Sequence, residues 1–165
     1  MRRNALVVGA LSLVFAASIA QAQDKPNFSG SWSLVADPNA AGGGGGGGGG
    51  RGGGGLGQAA TLTQDAKTLT ITRTTQNGEV KLVYNLDGSE SKNMVQGRGG
   101  QTEQVSKATW DGNKLVISTT LTMGENTVTR TQTMSLDASG QLVVTVSGPG
   151  RGGEQMTTTQ TYKKG

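Results

Sequence analysis

The stretch from Thr68 to Thr74 sets Leu69, Ile71 and Arg73 on one parity and threonines on the other. Successive side chains of a strand point to opposite faces, so such a stretch presents one face to a core and one to water. The pattern recurs along the chain. Val80, Leu82, Tyr84 and Leu86 alternate, and so do Leu115, Ile117 and Leu121 after Ala108 and Trp110. Between Thr127 and Leu136, Val128, Arg130, Gln132, Met134 and Leu136 oppose a row of threonines. Leu142, Val144 and Val146 make another face, and Met156, Thr158, Gln160 and Tyr162 the last. Turn clusters separate these runs: Asp65-Ala-Lys67, Gln76-Asn-Gly78, Asp87-Gly-Ser89, Asp111-Gly-Asn113, Met123-Gly-Glu125 and Asp137-Ala-Ser-Gly140. β-Branched enrichment between regularly spaced turns predicts an all-β chain, and no segment carries a helical period.

Ten strands are expected, at 28–35, 59–65, 68–75, 79–86, 91–95, 103–110, 114–122, 126–136, 141–147 and 155–163. Mostly short connections pair each strand with the one before it. A meander of this length removes its exposed edges by closing on itself. The predicted fold is therefore a closed antiparallel up-and-down β-barrel of about 8–10 strands. A transmembrane barrel would need an apolar outer face, and here the face opposite the leucines is threonine.

Two segments stand outside the alternation. Arg2 and Arg3 precede an apolar run from Ala5 to Ala20, and Ala20-Gln21-Ala22 gives a small-x-small cleavage site. This reads as a signal peptide, 1–22, which places the mature protein in the periplasm or outside the cell. The run is short for a spanning helix, and no later run is apolar enough to span as one. Residues 23–165 then form a single domain. Within it, 42–57 is almost unbroken glycine, interrupted by Arg51 and Leu56. Such a segment buries too little to offset its chain entropy and is expected to be a disordered loop.

Composition removes several functions. The net charge of +4 includes Arg2 and Arg3; without them 13 basic residues face 11 acidic ones. That gives no electrostatic case for nucleic acid. The three Arg-Gly-Gly sequences, at Arg51, Arg98 and Arg151, lack the interleaved aromatics of RNA-binding segments. The chain has no cysteine and no histidine. It therefore lacks disulfides, thiolate metal sites, and the commonest general base and metal ligand. No catalytic pair is arranged by spacing, and no cofactor is expected.

The mature chain opens on Phe28-Ser-Gly-Ser-Trp-Ser-Leu34, where a glycine between aromatic positions leaves room for another piece of chain to pass close. Phe28-x-Gly-x-Trp32-x-Leu34 resembles the first-strand signature of the calycins, the superfamily of lipocalins and fatty-acid-binding proteins. Trp110-Asp-Gly112, Arg130, Leu136-Asp137, Leu142-Val-Val144 and Thr159-x-Thr161-Tyr162-x-Lys164 resemble the second half of the fatty-acid-binding type. The chain is also similar to a group of uncharacterised exported bacterial proteins with the same Gly-x-Trp start and a Gly/Arg-rich insert. The resemblance implies a lipocalin-like barrel holding a small apolar ligand, with arginines and a tyrosine near the last strand on its carboxylate. Tyr162 matches that tyrosine and Arg130 loosely matches one arginine. Gln160 stands where the motif has the other, and the glycine tract replaces a helical lid.

Candidate ligand-binding residues are thus Trp32, Arg73, Tyr84, Trp110, Arg130 and Tyr162. Arg73 and Arg130 share parity with core residues, where an unpaired guanidinium is costly. They read either as an anion-binding pair in a cavity, or as residues that sit near a strand end or pair with Glu79, Glu90 or another carboxylate. Trp32 and Trp110 read either as ligand-stacking groups or as core. If connections alternate between the barrel ends, Arg51, Arg98 and Arg151 fall at one end, the mouth, and Asp65, Asp87, Asp111 and Asp137 at the other. The expected function is a non-enzymatic binding protein for a small apolar or anionic ligand. The alternative is an envelope interaction protein acting through its glycine-rich loops and threonine-rich surface. An interior of several hundred cubic ångströms favours the first. One filled by Trp32, Trp110, Met134 and Tyr84 favours the second.

Overall fold

A computed structural model of the chain describes residues 25–35, 55–75, 78–97, 100–123, 126–150 and 153–165. The signal-peptide reading, most of the glycine tract, and Arg51, Arg98 and Arg151 lie outside these residues. All the regular structure described is strand: β1 Gly30–Leu34, β2 Ala59–Gln64, β3 Thr68–Thr75, β4 Gly78–Asn85, β5 Glu90–Gly97, β6 Gly100–Asp111, β7 Lys114–Met123, β8 Asn126–Leu136, β9 Leu142–Pro149 and β10 Gln155–Lys164. These are the ten expected strands, shifted by three residues at most. No helix among the described residues is long and apolar enough to cross a membrane.

The strands form one antiparallel sheet in the order β4-β3-β2-β1-β10-β9-β8-β7-β6-β5. Every sequential pair except β4–β5 is a ladder, and β1 closes onto β10 with Trp32 opposite Lys164 and Leu34 opposite Tyr162. The fold is therefore an up-and-down barrel, nearly closed. The expected full closure needs one correction, because β4 and β5 share no ladder. Side chains join them instead. The Asn93 amide accepts from Val83 N–H at 2.8 Å and donates to Val83 C=O at 2.9 Å, as a peptide group on a neighbouring strand would. Asn85 N–H donates to Ser91 Oγ at 2.7 Å, and Asn85 Nδ2 donates to Glu90 C=O at 3.0 Å.

The interior follows the alternation. Leu62, Leu69, Ile71, Leu115, Ile117, Met134, Leu142 and Val144 are all buried. One end is sealed by the lead-in to β1. Phe28 is fully buried and stacks on Trp110, with ring centroids 5.9 Å apart. Gln64 holds this segment in place: it accepts from Phe28 N–H at 2.9 Å and donates to Pro26 C=O at 3.0 Å. Asp65, Asp87 and Asp137 cap the turns of this end by accepting backbone N–H groups. What passes close to Gly30 is a side chain: a Cβ there would lie 2.5 Å from Lys164 Cε, and Lys164 Nζ sits over the Trp32 ring.

Candidate functional site: a cavity with two arginines

Antiparallel order makes the connections alternate between ends, so the strand ends at Thr75 and Gly78, Gly97 and Gly100, and Met123 and Asn126 share the end opposite Phe28. A cavity of about 90 Å³ lies toward this end. Its wall is built from inward positions of β3, β4, β6, β7 and β8: Ile71, Arg73, Leu82, Tyr84, Gln104, Thr119, Leu121, Arg130 and Gln132. Gly55 and Leu56, just before β2, complete it.

Arg73 is two residues from the end of β3 and follows Leu69 and Ile71 in parity, so the alternation directs it inward. Its Nη1 donates to Gly55 C=O at 2.8 Å, and its Nε is buried without a hydrogen-bond partner. Arg130 reaches the cavity from β8, and Gly148 on β9 makes room for it. A methyl group at 148 would lie 3.2 Å from Arg130 Cγ. Neither arginine forms an ion pair among the described residues. The ion pairs found there, Lys92–Glu103 and Lys107–Glu90, are both exposed. Pairing of the arginines with Glu79 or Glu90 is thus absent, and among the described residues the lining carries no carboxylate. Gln132 Nε2 is a second buried donor with no partner. A buried donor left unsatisfied costs about 1–3 kcal/mol, and two of them stand beside one cavity.

The Arg73 charge acts on both tyrosines. Burial pushes the Tyr84 hydroxyl up to about 12, with the Arg73 charge pulling the other way. Tyr162 is also raised by burial, opposed by the Leu56 N–H bond and by Arg73. Both phenols are therefore neutral at physiological pH and able to donate.

Of the six candidate residues, Arg73, Tyr84 and Arg130 line the cavity, and Tyr162 stands behind Gly55 and Leu56. Trp32 and Trp110 do not line it. Trp32 is buried with its Nε1 donating to Phe28 C=O at 2.8 Å, and half-buried Trp110 lies at the sealed end with Lys25 over its ring. Both pack at the end that Phe28 closes. Sequence reasoning missed five contributors, Gly55 among them. Gln132 shares the Arg130 parity and was visible as an inward amide. Gln104 and Thr119 carry no distinguishing signal. Leu56 was assigned to a disordered tract, yet it is buried.

Among the described residues no group of histidine, cysteine, aspartate or glutamate could hold a metal ion. The fold and cavity define a class, an up-and-down antiparallel barrel with a small cationic interior. No family model matches the chain, and no curated protein matches it significantly.

Proposed function

We propose that this chain is an exported, calycin-like binding protein that holds a small anionic, partly apolar molecule without transforming it. The observation that carries the reading is the presence of Arg73 and Arg130 on one cavity that has no carboxylate among the described residues of its lining. The unpartnered donors Arg73 Nε and Gln132 Nε2 add acceptor-seeking groups at the same place. Two guanidinium groups in a restricted, partly desolvated space attract an anion strongly. Leu82, Leu121 and Ile71 supply the apolar part of the wall. A volume of about 90 Å³ limits the ligand to a few heavy atoms and leaves no room for a long acyl chain.

The small volume also favours a second reading. Trp32, Met134 and Tyr84 fill much of the barrel, as an interaction protein would require. Exposed Met94 and Met156 give such a protein apolar contact points. Mass spectrometry of small molecules carried by protein purified from its native periplasm separates the two. The binding reading expects a small acid that co-purifies with the wild type and is lost from R73Q and R130Q. An empty wild-type protein would support the interaction reading instead.

A further inference from the structure

Gly55 and Leu56 sit inside the mouth of the barrel. The Leu56 side chain is part of the buried core, and its N–H donates to Tyr162 Oη at 3.1 Å. Tyr162 Oη in turn donates to Gln160 Oε1 at 2.9 Å. The Gly55 C=O accepts from Arg73 Nη1 at 2.8 Å. A Cβ at 55 would run into the Gln160 side chain, so any larger residue there would displace Gln160 from Tyr162 Oη. The chain therefore presents to its own cavity a carbonyl oxygen on an arginine, followed by an isobutyl group in the core.

We propose that Gly55-Leu56 is a built-in plug that imitates the ligand, and that the ligand is a short branched aliphatic monocarboxylate. Its carboxylate takes the place of the Gly55 carbonyl on Arg73, and its hydrocarbon takes the place of the Leu56 side chain. This rests on the anion-binding reading above. The exchange is favourable in its polar part because a carboxylate makes a charge-assisted bond where the peptide oxygen makes a neutral-acceptor one. A carboxylate also brings a second acceptor to a site where Arg73 Nε and Gln132 Nε2 have none. In the apolar part the exchange replaces like with like. Displacing the Leu56 side chain adds the space of one isobutyl group to the cavity of about 90 Å³, which sets the size limit. The plug also keeps the core dry while no ligand is bound. The plug competes with the ligand, so apparent affinity is reduced by the fraction of molecules that are plugged.

The test uses the full chain, with 3-methylbutanoate, its neutral amide and inorganic phosphate as probes, followed by titration calorimetry. The wild type should bind 3-methylbutanoate, with the amide at least about tenfold weaker because it carries no charge. L56A should bind the acid about tenfold more tightly, since the competing side chain is gone. Hydrogen exchange at the Leu56 amide of the wild type should speed up about tenfold at saturation, and this readout stands even if L56A folds poorly. If the acid binds wild type and L56A equally and Leu56 exchange is unchanged, the plug is wrong although the anion site survives. Phosphate binding without 3-methylbutanoate binding overturns the ligand class alone. If neither probe binds either protein, the anion-binding reading falls as well.

Discussion

Tyr84 illustrates how a single side chain joins stability to the site. It lies among apolar residues of the wall, and its hydroxyl is pushed up to about 12 from an ordinary 10.0. The neutral form is the one the folded protein keeps. Stability from this group is therefore complete below pH 10, where the unfolded tyrosine begins to ionise, and is lost as pH climbs toward 12. Urea unfolding across that window should show a steeper loss for the wild type than for Y84F. Equal slopes would mean that the ring is solvated. Tyr162 shifts in the same direction, so Y84F should flatten the curve only in part. At this scale the sequence was informative about side-chain direction but not about role. Parity directed Arg73, Tyr84, Arg130 and both tryptophans toward the interior. It did not say that Trp32 and Trp110 belong to the sealed end, because parity carries no information about height along a strand.

The seam between β4 and β5 is where an element departs from expectation. A strand edge without a partner strand leaves N–H and C=O groups unpaired. Here Asn93 and Ser91, buried at 7% and 5% exposure, serve those of Val83 and Asn85. Lys81 and Lys92 point outward beside the seam, which discourages another chain from pairing there. N93A would leave a part-buried donor and acceptor on Val83 without partners, at up to about 1–3 kcal/mol. Its chemical unfolding midpoint should fall accordingly, and exchange of the Val83 amide should accelerate more than that of Val80 or Leu82. An unchanged Val83 amide would show that β5 rearranges to form a ladder. The turn rhythm made the strand count and order legible. The seam was not, because an inward asparagine reads in sequence only as a polar interruption of a core face.

At the scale of the whole molecule, the two ends have different chemistry. Aspartate-capped turns and Phe28 close one end. The arginine cavity lies toward the other, where the glycine-rich connections attach. The alternation of connections made the placement of the Asp-containing turns at one end legible from the strand count. The part glycine composition concealed is Leu56: a lone apolar residue among glycines has no period, so nothing local marks it as core. On the proposed reading, Arg73 Nε and Gln132 Nε2 take up a ligand's acceptor atoms. The most direct measurement is the NMR spectrum of arginine Nε–H and glutamine amide groups in the full chain during titration with 3-methylbutanoate and phosphate. The account predicts that Arg73 Nε–H and the Gln132 side-chain amide shift together and saturate at one ligand concentration, with Arg130 following. If those signals stay fixed while resonances elsewhere on the surface move, the cavity is not a binding site and the account is contradicted.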